Sequence, residues 1–208
     1  MLWVVAPGRE APGFAASGGC FDRPGDRLAQ QPRGGGRRMG GKLIVVVGPM
    51  YAGKTAWLID YAAGKDFRAF LPEIAVRGLR SRDGRELPAT RLPVDIAGNV
   101  ELGEASVYLF DEVQFFGKGF VELVLELLRS GKDVVAAGLD LDWQGRPFET
   151  TASLLALADV VVKLTARCAV CGAPARFSWK VSADGHRIDP AAHYEPRCRH
   201  HYPPLRGS

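Results

Sequence analysis

From Gly41 onward, short apolar runs alternate with amphipathic stretches. Leu43–Val47 is a continuous, mostly β-branched run that ends at a glycine, which is typical of a strand covered on both faces. A helix is predicted at 56–63, before Gly64. Further strands are predicted at 107–110, 134–137 and 160–164, further helices at 120–128 and 154–158, and an irregular excursion at 77–98. Because strands that alternate with helices need crossover connections, we expect an α/β fold: a mostly parallel sheet with flanking helices.

The two ends of the chain differ from this body. Residues 1–39 are rich in glycine and proline without periodicity, so we predict a disordered extension. The apolar run Leu2–Val5 is too short for a secretory signal, whereas an arginine-rich targeting peptide stays an open alternative. Met39 precedes the first predicted strand, and we hypothesise that translation starts there. After the main domain of 40–165, a Cys-, Pro- and His-rich stretch predicts a second small domain at 166–204, with a tail at 205–208.

Composition and charge narrow the classes of partner. The 208 residues are 47% apolar, but no apolar run approaches the roughly 18 residues that a membrane span needs. The net charge of +4 arises mainly from residues 1–38, which hold six arginines against three acidic residues. The remainder carries 21 basic and 20 acidic residues, without the concentrated basic face that binds a phosphate backbone. We therefore expect neither a membrane nor a nucleic acid as partner.

The first chemical motif follows the strand Leu43–Val47. Its residues fit the pattern G-x-x-x-x-G-K-[ST] and lie between a strand and a helix, as a phosphate-binding loop requires. Backbone N–H groups and the helix N-terminus would cradle phosphates, Lys54 would reach the β and γ oxygens, and Thr55 would offer its hydroxyl to Mg²⁺. An ordinary glycine turn is the alternative. The predicted ATP-binding residues of the loop are Gly48, Pro49, Met50, Tyr51, Ala52, Gly53, Lys54 and Thr55.

A second motif, Asp111-Glu112, ends the predicted strand at 107–110. If this strand lies beside the phosphate loop, one carboxylate can hold the metal and the other can accept a proton from the group that attacks the γ-phosphate. Adjacent side chains at a strand end point in opposite directions, which suits two different roles. A solvated turn is the alternative interpretation.

The third motif pairs two short knuckles, Cys168-x-x-Cys171 and Cys198-x-x-His201. This spacing favours a tetrahedral Zn²⁺ with three thiolates and one imidazole, and four protein ligands leave no open catalytic position. The zinc is therefore predicted to be structural. Disulfides are the alternative, and His200 competes with His201 as the fourth ligand.

With these motifs in this order, the chain resembles the type II thymidine kinases, a tetrameric family with a phosphate loop and a zinc-stapled lasso. The resemblance covers residues 42–202. Besides the phosphate loop and the Cys168/Cys171 knuckle, it rests on several separated segments: Asp111-Glu-Val-Gln-Phe-Phe116, Ala137-Gly-Leu-Asp140 followed by Trp143 and Arg146-Pro-Phe148, Val162-Lys-Leu-Thr-Ala166, and Tyr194-Glu-Pro-Arg-Cys198. It implies a phosphate-loop α/β domain with a small zinc-stapled lasso domain.

The resemblance implies transfer of the ATP γ-phosphate to the 5′-hydroxyl of thymidine. Glu112 would be the general base, Lys54 and Arg77 would act on the phosphates, and Asp111 would hold Mg²⁺ together with Thr55. Asp111 and Gln114 are also assigned to the ATP site. The residues that would bind the nucleoside are Met50, Phe115, Leu139, Trp143, Phe148 and Tyr194.

The chain departs from the family pattern at several positions. Ala75 and Gly78 flank Arg77 where the family has Asp and Tyr, Trp143 replaces a usual Phe, and the segment between Cys171 and Tyr194 is shorter. The short lasso favours the alternative function, a degenerate nucleotide-binding regulator or a phosphate-loop NTPase without a nucleoside acceptor. The family further implies a cytoplasmic homotetramer with structural Zn²⁺ and with MgATP as phosphate donor.

Overall fold

A seven-stranded parallel sheet forms the centre of the protein in the computed structural model, which describes residues 40–96, 100–181 and 192–203 and the backbone of residues 2–5. Along the sheet, the strand order is β1-β7-β2-β6-β5-β3-β4, and every neighbouring pair is parallel. The strands are β1 (Leu2–Val5), β2 (Leu43–Val47), β3 (Phe67–Pro72), β4 (Thr90–Leu92), β5 (Val107–Phe110), β6 (Asp133–Gly138) and β7 (Val160–Lys163). The predicted α/β class with a parallel sheet is confirmed.

Helices cover both faces of the sheet. One face packs against α1 (Lys54–Ala62), through Trp57 and Leu58. The other face packs against α2 (Gly119–Arg129) and α3 (Glu149–Leu157). In β2, Leu43, Val45 and Val47 point to the second face, whereas Ile44 and Val46 point to the first. A strand with both faces covered must be apolar at every position, and this explains why β2 is an uninterrupted hydrophobic run.

Three strands of the main sheet lie where the sequence patterns predicted none. β3 carries Arg68 and ends at Pro72, so its apolar residues do not form a clean run. β4 contributes only three residues, within the predicted irregular excursion, and forms an edge beside β3. β1 pairs with β7 inside the extension that was predicted to be disordered; residues 6–39, including Met39, lie outside the described residues. Two of the three residues of β4 are exposed, so the apolar pattern that marks a strand is weak there.

The C-terminal part consists of two small antiparallel ladders. β8 (Ala166–Arg167) pairs with β9 (Pro174–Ala175), and β10 (Phe177–Lys180) pairs with β11 (Tyr194–Arg197). Residues 182–191, which connect β10 to β11, lie outside the described residues. The ladders bring the two cysteine knuckles together, because Cys168 follows β8 and Cys198 follows β11. We call residues 166–181 and 192–203 the lasso module.

Among the described helices, none has the length and hydrophobicity that crossing a membrane would require.

Candidate active site

The candidate site lies at the carboxyl ends of the central strands. The phosphate loop (residues 48–55) follows β2, Asp111 follows β5, and Leu139 follows β6. β6 lies between β2 and β5, so the phosphate loop and the acidic pair are two strands apart rather than on neighbouring strands. They nevertheless meet, since parallel strands direct all of their carboxyl-terminal loops to one edge, where doubly covered sheets bind ligands.

The phosphate loop depends on a close approach between β2 and β7. Gly48 has φ of 152°, and a Cβ atom there would lie 2.5 Å from the backbone oxygen of Leu164. Leu164 also donates its N–H to the oxygen of Val47, at 2.7 Å. A side chain at position 48 would therefore push the loop away from the end of β7.

Lys54 is buried at the first turn of α1 and turns back onto its own loop. Its Nζ donates to the backbone oxygens of Gly48 at 3.1 Å and Pro49 at 3.0 Å. Burial lowers the pKa of the ammonium, and the carboxylates of Glu112, Asp111 and Asp140 partly oppose that shift. An ammonium held near carbonyl oxygens can move to an anionic phosphate, because this replaces two neutral acceptors with a charged one.

Thr55 and Asp111 connect the phosphate loop to the acidic turn. The Thr55 hydroxyl donates to Oδ2 of Asp111 at 2.8 Å, and the other carboxylate oxygen accepts from the N–H of Glu112 at 2.9 Å. Burial and the neighbouring charge of Glu112 raise the pKa of Asp111 to about 7, although these hydrogen bonds and Lys54 act in the opposite direction. A hydroxyl and a carboxylate in contact are oxygen donors of the kind that Mg²⁺ prefers, so the residues fit this metal.

Glu112 adopts a left-handed backbone conformation, with φ of 56°. This conformation is unusual for a residue other than glycine and marks a sharp turn after Asp111. The side chain is partly exposed and accepts a hydrogen bond from Nε2 of Gln114. Gln114 in turn accepts from the N–H of Leu139 at 2.9 Å. Glu112 is therefore the more accessible of the two carboxylates.

Arg77 lies in a separate arginine-rich loop near the phosphate loop. It lines a cavity of about 570 Å³ together with Arg80 and Arg82. The guanidinium of Arg82 lies 3.7 Å from the centroid of the Tyr51 ring, and Tyr51 belongs to the phosphate loop. This cation–π contact brings the arginine loop to the edge of the site, although Arg77 itself is exposed.

The predicted nucleoside-binding residues come from four segments. Leu139, Phe148 and Tyr194 are buried, whereas Met50, Phe115 and Trp143 are partly exposed. The Trp143 ring packs edge-on against Trp179 of β10, with centroids 6.0 Å apart, and its backbone oxygen accepts from the Tyr202 hydroxyl at 2.8 Å. The loop after β6 is thus attached to the lasso module.

The lasso module also contacts the phosphate loop directly. The N–H of Met50 donates to the Ser178 hydroxyl oxygen at 2.9 Å, and Ala52 packs against the buried cluster that contains Cys168 and Cys198. No sequence signal distinguished Ser178, which is an ordinary residue of a short strand. Only the tertiary contact identifies it as part of the site.

The four predicted zinc ligands form one cluster. The ligand atoms of Cys168, Cys171, Cys198 and His201 all lie within 4.8 Å of one another. The Sγ atoms of Cys171 and Cys198 are 3.8 Å apart, and Nδ1 of His201 lies 3.3 Å from Sγ of Cys198 and 3.7 Å from Sγ of Cys168. A tetrahedral zinc with Zn–S distances of about 2.3 Å gives sulfur separations of about 3.8 Å, so the cluster fits zinc.

The cluster also bears on two alternatives left open by the sequence. His201 belongs to the cluster and His200 does not, although both histidines line the adjacent surface cavity. Cys168, Cys171 and Cys198 are free thiols, so the described cysteines form no disulfide; Cys20 lies outside the described residues. Burial opposes ionisation of Cys168, but backbone N–H groups, including that of Cys198, outweigh it and lower its pKa to about 6. A thiolate ligand is therefore available at neutral pH.

A family model described as thymidine kinase matches residues 41–202, more than half of the chain. The chain belongs to the thymidine kinase family. A thymidine kinase of Pyrobaculum aerophilum is 39% identical over 182 residues, which cover 77% of this chain and 97% of the relative. One from Thermococcus kodakarensis is 39% identical, covering 78% and 94% of the two chains, and one from Deinococcus radiodurans is 44% identical, covering 65% and 74%.

Membership in the thymidine kinase family makes the protein an ATP-dependent phosphotransferase and implies a nucleoside as acceptor. The geometry brings Lys54, Thr55, Asp111, Glu112 and Gln114 to one edge of the sheet. Asp140 was noted in the sequence only as part of the segment Ala137-Gly-Leu-Asp140 and was given no role; it is 6% exposed and lies after β6. Lys163 Nζ approaches its Oδ2 at 2.9 Å without hydrogen-bond alignment. Asp140 is also one of the carboxylates whose charge acts on Lys54.

Proposed function

We propose that the protein transfers the γ-phosphate of ATP to the 5′-hydroxyl of thymidine and so forms thymidine monophosphate. The contact between the Thr55 hydroxyl and the Asp111 carboxylate, at 2.8 Å, carries this proposal. It joins the loop that would hold the phosphates to the turn that presents Glu112. Membership in the thymidine kinase family supports the choice of acceptor.

The phosphate-binding part is assigned to the loop after β2. Its backbone N–H groups and the N-terminus of α1 bind the phosphates, as in other loops of this pattern. Lys54 exchanges the carbonyl oxygens of Gly48 and Pro49 for the β- and γ-phosphate oxygens when ATP binds. Arg77 approaches the same phosphates from the arginine-rich loop, whose Arg82 already contacts Tyr51. Thr55 and Asp111 would hold Mg²⁺, which would neutralise charge on the phosphates.

Glu112 is assigned as the general base. It is partly exposed, whereas Asp111 is buried and engaged with Thr55, so Glu112 is the carboxylate that an acceptor hydroxyl can reach. It takes the proton of the 5′-hydroxyl as the hydroxyl oxygen attacks the γ-phosphorus, while ADP departs with the bridging oxygen. The left-handed turn at Glu112 directs the two adjacent carboxylates to these different tasks.

The nucleoside is proposed to bind between the phosphate loop, the segment after β6 and the lasso module. Met50, Phe115, Leu139, Trp143, Phe148 and Tyr194 supply its contacts. The attachment of Trp143 to Trp179 and Tyr202 supports this placement, since it fixes one wall of the pocket to the lasso module. Cys168, Cys171, Cys198 and His201 would hold a structural zinc in that module, and four protein ligands would leave it no open position for phosphoryl transfer.

At the level of the whole chain, we propose a main domain at 40–165, a zinc-stapled lasso domain at 166–204, and a cytoplasmic homotetramer. Sedimentation of the zinc-loaded protein tests the tetramer. A species of four chains is expected, and a stable monomer at micromolar concentration would contradict it.

The function is tested by offering ATP and a panel of deoxynucleosides and by measuring both nucleotide product and ADP. Thymidine should give product in equal amount to ADP and exceed the other nucleosides. ADP without nucleotide product would indicate an NTPase, and the absence of both would indicate a nucleotide-binding regulator.

Glu112→Gln should still bind ATP but reduce kcat by about two to four decades. A variant with normal turnover would remove Glu112 from the reaction.

A further inference from the structure

The side chain of Gln114 connects two parts of the site that the strand order separates. Its Nε2 donates to Oε2 of Glu112, and its Oε1 accepts from the N–H of Leu139 at 2.9 Å. Gln114 is 7% exposed and lies in a short 3₁₀ helix, Val113–Phe115, directly after the acidic turn. The amide therefore spans from the end of β5 to the end of β6.

The backbone partner determines which way the amide faces. A backbone N–H can only donate, so the atom of Gln114 next to Leu139 must be the carbonyl oxygen. The NH₂ group is then directed at Glu112, which as a carboxylate can only accept. The residue opposite, Gly138, leaves room for this arrangement: a Cβ there would lie 2.6 Å from Oε1 of Gln114 and 2.9 Å from Cγ2 of Val113.

Glu112 needs such a partner because its own environment restrains it weakly. A glutamate has three rotatable side-chain bonds, and this one is partly exposed on a left-handed turn. Within the described part of the chain, Gln114 is the donor to Oε2, and no donor reaches Oε1. A carboxylate held by one oxygen keeps the other available for a proton from the acceptor hydroxyl.

We propose that Gln114 is a positioning residue for Glu112, one that orients the carboxylate through hydrogen bonds rather than binding ATP. This replaces the assignment of Gln114 to the ATP site, and it rests on the proposed role of Glu112 as general base. A misplaced base lowers the rate of phosphoryl transfer without weakening ATP binding, since small displacements of a catalytic group are costly to the chemical step.

The test compares kcat and KM for ATP in the zinc-loaded enzyme with saturating thymidine. Gln114→Met keeps the length of the side chain but removes both hydrogen bonds, and we expect kcat to fall about 10- to 100-fold with KM for ATP within twofold. Gln114→Asn keeps the amide but is one methylene too short to span both partners, so it should show the same pattern. The Gln114→Asn variant therefore provides a second test of the proposal if the Gln114→Met variant folds poorly.

A matched control removes a different buried hydrogen bond from the same segment. The Thr150 hydroxyl donates to the backbone oxygen of Phe116 at 2.7 Å, just after the 3₁₀ helix, and does not contact Glu112. Thr150→Val should leave kcat within about twofold even where it lowers the melting temperature. If it lowers kcat as much as Gln114→Met does, general loosening of the segment explains the effect and the proposal is overturned.

A double-mutant cycle with Glu112→Gln separates the two roles. If Gln114 acts through Glu112, adding Gln114→Met to Glu112→Gln should lower kcat by less than a further twofold. Multiplicative effects on kcat would show that Gln114 acts independently of Glu112, and a rise in KM for ATP in both backgrounds would make it an ATP ligand; either result overturns the proposal. If Glu112→Gln alone keeps wild-type turnover, the proposed function of Glu112 fails, and this outcome is distinct from a failure confined to Gln114.

Discussion

At the scale of single residues, the site holds an ionisable group, the carboxyl group of Asp111, in a buried position. Asp111 is almost inaccessible and lies beside Glu112, and its hydrogen bonds to Thr55 and to the N–H of Glu112 compensate only partly for burial. Its pKa is raised to about 7 as a result. Without a nucleotide and a metal, the ionised form of Asp111 is therefore a cost to the folded protein.

This cost predicts a pH-dependent stability. Because the folded pKa of about 7 lies above the model value of 3.8, the folded state holds a proton that the unfolded state has released between these values. The contribution of Asp111 to the free energy of unfolding is thus full below about pH 4, is lost progressively as the pH rises, and is gone once the pH exceeds the folded pKa of about 7. Asp111→Asn, which stays neutral, should gain about 3 kcal/mol relative to wild type between pH 5 and pH 8.

The measurement is denaturant unfolding of both proteins at each pH, zinc-loaded and free of Mg²⁺ and nucleotide. Both proteins carry the same zinc cluster, so the pH dependence of metal binding cancels in their difference. A constant difference across this range would show that Asp111 stays ionised in the folded protein.

At the scale of elements, the close approach of β7 anchors the start of the phosphate loop to the sheet. Val47 and Gly48 continue β2 past the end of β7, where the backbone of Leu164 comes close enough to exclude a side chain at position 48. The loop is thereby anchored to the sheet at its first residue. At its third residue, Met50, it is anchored to β10 through Ser178.

Gly48→Ala should therefore disturb both the loop and the sheet. Its Cβ would lie 2.5 Å from the Leu164 oxygen, a backbone atom that cannot move alone. We expect a loss of about 1–3 kcal/mol in the free energy of unfolding and a raised KM for ATP. Thermal unfolding and steady-state kinetics measure the two effects. An unchanged KM would show that the phosphate loop tolerates displacement from β7.

At the scale of the whole molecule, the zinc cluster and the phosphate loop share a packing surface. Ala52 packs against the cluster residues Cys168 and Cys198. Met50 is hydrogen-bonded to Ser178, which lies in β10 of the lasso module. The module is too small to fold by burial of apolar surface alone. The metal should therefore influence ATP binding although it lies outside the reacting centre.

Cys171→Ser should lose zinc and unfold the lasso module, because the binding energy of structural zinc is folding energy. We further expect KM for ATP to rise about tenfold or more, since the loop loses its support at Met50 and Ala52. Metal analysis and kinetics check both expectations. Cys20→Ser is the matched control, because Cys20 does not belong to the predicted ligand set, and this variant should keep one zinc per chain. Full zinc content in Cys171→Ser would make the ligand assignment wrong.

The sequence by itself determined the features that depend on local pattern. β2, β5, β6 and β7 are apolar over consecutive residues because both faces of the sheet are covered, and this produced the α/β prediction. The phosphate loop and the two zinc knuckles could also be predicted from the sequence, because their chemistry requires fixed residue types at short spacing.

Only the tertiary structure determined which contacts join segments that are distant in the sequence. It added the edge strands β1 and β4, placed β6 between the phosphate loop and the acidic turn, and selected His201 over His200. It also paired Met50 with Ser178, 128 positions later, and Gln114 with Leu139. Such contacts leave no periodic signal, because each depends on the exact approach of two chain segments whose separation is set by the packed sheet and not by their own sequences.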